Sequence, residues 1–314
     1  MITIPNKTKQ FLVLIAKLLV VGGAFYFIYS RLAATDTLNW KEFKEIVFKK
    51  NAIWSILFVL FLSFLNRFLE ILKWQNLVQV IKPITIGEAT KQVLGSLTLG
   101  LFTPNGIGEY AGKALFFEKV KTKKVIFLNL VCNGVQLVLT VVLGVVGLLY
   151  FNTKFEVISD KIVLVLFGSS IMVVIGFFFL KRIVIKGFSL EKLVQKLNEI
   201  PKSVHQRNTI LGFLRYVTFS HQYYFLFFLF GVHSSYGVMM AAITSVYFLA
   251  SSLPSFQFLD FAVKGGVAVF FFSLLGVKDW IPVFISTLMW FLNTVIPVFL
   301  GSYYVLNFKS QWKS

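Results

Sequence analysis

An all-α polytopic membrane protein is the fold class this sequence predicts, with six spanning helices plus two opposed re-entrant or broken helical hairpins in an inverted repeat. Three observations predict it. The 314 residues are 57% hydrophobic and include 37 Phe, while only 14% are charged, against about a quarter in soluble domains; mean hydropathy is +0.79. Apolar runs long enough to cross a bilayer recur along the chain. Finally, Thr103-Pro104 followed by Glu109-x-x-x-Lys113 is echoed by Leu253-Pro254 followed by Asp260-x-x-x-Lys264. A helix-breaking proline and then an acid and a lysine on one helical face are costly in lipid unless they line a cavity. A match at corresponding places in two halves points to a transporter-like site at the bilayer midplane.

Taken in order, the runs at 11–30, 52–72, 124–151, 161–180, 210–231 and 281–306 are each read as a span. The first follows Lys7 and Lys9 like a signal peptide, but about 20 apolar residues suit a retained span better than a cleaved leader. Lys17 inside it is read as snorkelling. The stretches 38–50 and 186–200 carry apolar residues at helical spacing among charges and read as interfacial amphipathic helices. Region 85–120 has arms of about a dozen residues on either side of Phe102-Thr103-Pro104-Asn105-Gly106, too short for a core of about 30 Å, so it is predicted to be re-entrant. Region 236–277 has longer arms around Leu253-Pro254 and reads either as re-entrant or as two broken spans.

The net charge of +18 lies mostly in short connecting segments, as the positive-inside rule demands of cytoplasmic loops. Lys181 to Arg215, the segment Lys119 to Lys124, and Lys309 with Lys313 are therefore placed on the cytoplasmic side of a bacterial inner membrane, with both termini cytoplasmic. The loop 31–51 falls outside, although it holds Arg31, Lys41, Lys44, Lys49 and Lys50. The whole chain, 1–314, is read as one membrane domain, with repeats at 52–151 and 210–306 facing opposite ways and a cytoplasmic amphipathic linker over 181–209.

At Leu101-Phe102-Thr103-Pro104-Asn105-Gly106-Ile107-Gly108-Glu109, preceded by Lys73-Trp74, the chain resembles the flippase-like transmembrane domain of lysylphosphatidylglycerol synthases. That family has a basic-Trp pair, then a threonine-proline-glycine turn ending in Gly-Glu, and a second proline turn in the later half. The resemblance implies a lipid-handling membrane domain, here a stand-alone member in which no aminoacyl-transferase domain follows up to Ser314. The chain departs from the family after the first hairpin, where Cys132-Asn133-Gly134-Val135-Gln136 stands in place of a Glu-Arg-x-x-Asp type cluster.

The candidate binding residues are Lys113, Lys264, Glu109, Asp260, Arg67 and Glu70, with hairpin breaks at Thr103, Pro104, Asn105, Gly106, Gly108 and Pro254. Glu109 and Lys113 are at i,i+4 in the favourable acid-first order. They read either as a structural ion pair or as a headgroup site, with the lysines on a phosphate and the acids on a cationic part. The amides near Gly106 and Gly108, at the start of a helix, suit an anion. Arg67, Glu70 and Lys73 form one stripe near the inner end of the second span, which reads either as facing the central cavity or, for Lys73 and with it Arg67, as snorkelling to the interface. Pro297 is expected to kink the last span, with Pro282 in its first turn. Asn293 is expected to reach Asn129 or Asn133.

Other chemistries lack their residues. Gly-Ile-Gly-Glu at 106–109 resembles the Gly-x-Gly-Asp of intramembrane aspartyl proteases, but such a site needs two aspartates sharing a proton. His205, His221 and His233 are scattered, and no metal-ligand spacing or nucleotide-binding glycine loop occurs, so neither enzymatic activity nor a cofactor is expected. Cys132 reads as a small buried hydrophobe. The leading expectation is a flippase-like translocator of an anionic or modified phospholipid or an isoprenoid-linked lipid. The rivals are a secondary transporter of a small anionic solute and a non-transporting accessory subunit of a membrane enzyme. Membrane lipids are the expected partners, and nucleic acid is not, because no soluble basic domain carries the charge.

Overall fold

A computed structural model describes residues 52–101, 103, 106–159, 161, 190–253 and 256–308. The run 11–30, nearly all of 161–180, the stretch 38–50, and Pro104, Asn105 and Pro254 lie outside the described residues. Those described are all-helical, with no strands. Helix α1 (Ala52–Val78) is followed by α2 (Ile86–Gly100), α3 (Ile107–Ala114), a 3-10 turn (Lys119–Lys121) and α4 (Thr122–Phe155). The short α5 (Leu190–Asn198) leads to α6 (Lys202–Leu229), α7 (Tyr236–Ser252), a second 3-10 turn (Gln257–Leu259) and α8 (Asp260–Ser273). Last come α9 (Trp280–Trp290), a π turn (Phe291–Val295) and α10 (Ile296–Leu306).

Three helical stretches, Ile53–Val78, Lys119–Phe155 and Trp280–Leu306, are long and apolar enough to cross a membrane. They coincide with the runs expected at 52–72, 124–151 and 281–306. The run at 210–231 lies in α6, which starts earlier, at Lys202. Its first half carries Lys202, His205, Arg207 and Arg215, so it falls short of those three in apolarity. Of the linker expected over 181–209, residues 181–189 lie outside the described residues and 202–209 fall in this helix.

The arms of the two broken regions are short. Helices α2 and α3 have 15 and 8 residues, and α7 and α8 have 17 and 14. At about 1.5 Å per residue, none reaches the ~30 Å of a hydrocarbon core. Helix α2 starts cleanly because Thr85 and Glu88 form a reciprocal capping box, which satisfies two otherwise unpaired backbone N–H groups. Helix α3 starts at Gly106, whose φ of 69° is cheap only without a Cβ. The Thr103 hydroxyl donates to the Gly100 carbonyl (2.7 Å) and accepts from the Gly108 N–H (2.8 Å), bridging the break.

Packing brings the halves together. Helix α1 lies against α6, α2 against α10, and α7 against α4. The last two contacts depend on missing side chains: a Cβ at Gly301 would collide with the Leu94 carbonyl, and one at Gly147 with the Thr244 hydroxyl. Small residues at such crossings let backbones approach where lipid gives no hydrophobic drive. Among the described residues two large apolar cores and two small clusters result. One large core gathers Val59, Phe151, Phe227, Phe271, Phe272 and Ile285, and the other Ile71, Trp74, Leu77, Val93, Leu128 and Val204. Helix α1 joins both, and between Val59 and Ile71 it presents Ser63, Asn66, Arg67 and Glu70. A polar belt thus separates the two cores.

Candidate functional site

The belt is built where α1 crosses α6. Glu70 pairs with Arg215 at 2.6 Å, and Arg215 Nε donates to Asn66 Oδ1 at 3.0 Å. Asn66 Nδ2 donates to Asn293 Oδ1 (2.7 Å), and Asn293 Nδ2 to Gln222 Oε1 (3.1 Å). Gln222 closes the chain on the Ser63 hydroxyl at 2.6 Å. On the other flank, Gln136 Oε1 accepts from Lys73 Nζ (3.4 Å) and Arg215 Nη1 (3.5 Å). Helices α1, α4, α6 and the π turn thus share one network, and in a low-dielectric interior such chains specify a unique packing.

Arg67 donates to the backbone carbonyl of Asn293. In a regular α-helix that carbonyl would accept from residue 297, but Pro297 has no N–H. Pro297, expected to kink the last span, is preceded by a π turn over Phe291–Val295, the kind of local irregularity that recurs at functional sites. The same turn explains where Asn293 points. It bonds Asn66 and Gln222, not Asn129 or Asn133 as the sequence suggested, because those two are engaged elsewhere. Asn129 accepts from Lys113 (2.7 Å), and Asn133 donates to the Tyr110 hydroxyl (3.2 Å).

The two hairpin lysines sit in unlike surroundings. Lys113 is fully buried, 3.4 Å from Glu109, with its ammonium 4.7 Å from the centre of the Trp74 ring. Lys264 and Asp260 are paired at 2.6 Å, yet their side chains are 29% and 35% exposed, and Lys264 lies 5.3 Å from the Tyr247 ring centre. In the stretch around this pair Leu253, Phe256 and Ala262 are exposed, as are Ser251 and Ser252. Between the hairpins the tips interlock. A Cβ on Gly106 would lie 2.7 Å from the Gln257 amide nitrogen, while the Gln257 carbonyl accepts from the Trp290 indole (3.2 Å).

Lys73 does not snorkel. It has no solvent exposure because it points into the α1, α4 and α6 crossing, where Gln136 meets it. Arg67 and Glu70 join the network as a stripe would, and Gly106, Gly108 and Thr103 shape the first hairpin. Arg215 and Gln222 were missed: Arg215 reads as the last charge of a basic loop. Their seven-residue spacing, which puts both on one face of a helix, is the signal that could have found them. Among the described residues no cluster of His, Cys, Asp and Glu could hold a metal. Comparison with known proteins found no matching family model, no matching curated protein and no matching solved structure.

Proposed function

We propose that this chain is a flippase-like lipid translocator of a bacterial cytoplasmic membrane, built as an inverted repeat of six spans and two re-entrant hairpins. The observation that carries this reading is the polar belt between two apolar cores, to which both halves contribute. Pairing α1 with α6, α2 with α7, α3 with α8, and α4 with the α9–α10 stretch gives each packing contact a counterpart. The contact of α2 with α10 answers that of α7 with α4, and α1 with α4 answers α6 with α9. The resemblance at Thr103 to Glu109 points the same way.

Alternating access needs one path open while the other is closed. The sealed Glu109–Lys113 pair and the half-open Asp260–Lys264 pair fit a state closed at one hairpin and open at the other. The half-open pair lies near the exposed apolar Leu253, Phe256 and Ala262, which favours a ligand whose chains stay in the bilayer over a fully enclosed solute. Acid and lysine at each tip would hold the anionic and cationic parts of a headgroup, with both termini cytoplasmic and without an enzymatic step.

Reconstitution into vesicles carrying a trace of fluorescent phospholipid tests this. Protein-dependent exposure of inner-leaflet probe to dithionite is the expected result. Rates equal to protein-free vesicles for anionic, cationic and zwitterionic probes, with saturable uptake of a soluble anion, would replace the lipid reading with solute transport.

A further inference from the structure

We infer that the crossing of α1, α4 and α6 is a binding site for a phosphate group carrying two negative charges, centred on Lys73 and Gln136, with Arg67 farther along α1 and Asn129 farther along α4 at its edges, and not on the hairpin lysines. The inference deepens the lipid-handling reading and rests on it only for the source of the phosphate.

Charge balance is the first observation. The network and the adjoining Glu109–Lys113 pair together hold four cations, Arg67, Lys73, Lys113 and Arg215, against two carboxylates, Glu70 and Glu109. Lys113 has Glu109 and Arg215 has Glu70. Among the described residues, Arg67 and Lys73 have no carboxylate within ion-pair distance. Lys73, without solvent exposure, has the Gln136 oxygen at 3.4 Å as its hydrogen-bond partner. A buried ammonium held by one long bond is a costly arrangement unless something else compensates it.

Hydrogen-bond balance is the second, independent observation. Arg67 Nε, Gln136 Nε2 and Asn129 Nδ2 are buried without an acceptor among the described residues. The amide orientations are fixed by their neighbours. Gln136 must turn its oxygen toward Lys73 and Arg215, and Asn129 toward Lys113, so in both cases it is the NH2 that faces away. The site therefore lacks acceptors and negative charge together, while its donors are in excess. A phosphomonoester or diphosphate supplies both, with several acceptor oxygens on a small group. A diester, with one charge, leaves the site cationic; a carboxylate brings fewer oxygens.

Phosphatidic acid, phosphatidylglycerol and inorganic pyrophosphate, each added to the full chain in mild detergent, are the probes, read by native mass spectrometry and melting temperature. Wild type is expected to bind phosphatidic acid and to melt higher with it, with phosphatidylglycerol roughly tenfold weaker. Lys73→Met and Gln136→Leu should each weaken phosphatidic acid roughly tenfold or more, the ordinary loss for a charge-assisted hydrogen bond. Lys123→Ala, an exposed charge, should change nothing. Without ligand, Lys73→Met should melt no lower than wild type, since it deletes an uncompensated charge. Equal binding of both lipids overturns the two-charge assignment. Undiminished binding by Lys73→Met, or a lower melting temperature for it without ligand, overturns the site. Pyrophosphate bound through Lys73 with phosphatidic acid ignored keeps the phosphate site and removes the lipid reading.

Discussion

Arg67 donates its guanidinium to the main-chain carbonyl of Asn293, across 226 residues of sequence, at the carbonyl whose regular helical donor would be Pro297. A missing N–H on the last span is thereby coupled to a charge on α1. Restoring the N–H with Pro297→Ala should make Arg67 less necessary. A double-mutant cycle of Arg67→Met and Pro297→Ala should give a coupling of about 1–3 kcal/mol in unfolding free energy. Additive effects within ~0.3 kcal/mol would mean the two are unlinked.

The Glu70–Arg215 pair should respond asymmetrically. Breaking a buried pair costs about 3–5 kcal/mol, but the belt already carries more cations than anions. Glu70→Gln should therefore destabilise more than Arg215→Gln, with the double variant intermediate. Chemical unfolding in detergent reads the order, and equal losses would contradict the charge excess.

Close backbone approach at Gly301 and Gly147 leaves no room for a methyl group. Gly301→Ala, against a rigid carbonyl, should cost about 1–3 kcal/mol by overpacking. Gly147→Ala should cost less, since the Thr244 hydroxyl can rotate away. Gly134→Ala, with open space around it, should be neutral or slightly stabilising through helix propensity. Melting temperatures of the three variants rank the crossings.

Exposure separates the two hairpins chemically. On a Cys132→Ala background, Lys264→Cys should react with a water-soluble maleimide and Lys113→Cys should not, until the protein is unfolded. Equal labelling of both in the folded state would contradict the closed-and-open arrangement of the tips.

At the start of α2, the Thr85 N–H and hydroxyl both donate to Glu88, at 2.7 and 3.1 Å, which holds that carboxyl below its ordinary value. A group whose folded value is depressed contributes stability above its unfolded value and loses it as pH falls through the folded one. Amide exchange in the first turn of α2 should therefore quicken, relative to the intrinsic rate, as pH drops below about 4.5. Thr85→Ala, which removes the hydroxyl but keeps the backbone N–H that donates to Glu88, should reduce that dependence and weaken the helix start by about 1 kcal/mol.

Much of the architecture was legible because apolar run length and helix breakers are local signals. The runs at 52–72, 124–151 and 281–306 and the short arms of the first hairpin follow from counting residues against bilayer thickness, and Pro297 marked an irregular stretch because it lacks an N–H. The partner of each polar residue was not legible. Arg215 looked like loop charge because it closes a basic segment, and only the crossing of α1 with α6 turns it inward to Glu70. Lys73 looked exposed because a lysine near a span's end ordinarily is. Asn293 was sent to the wrong partner because a π turn adds a residue to the helical turn, re-aiming the side chain in a way a regular helical wheel cannot anticipate.

Gln257 touches the first hairpin through its side chain at Gly106 and the last span through its carbonyl at Trp290. A residue gripped from both sides acts like the pin of a linkage: neither hairpin tip can withdraw without dragging the other or releasing the span. Separating the two tips therefore disturbs the last span at Trp290 as well.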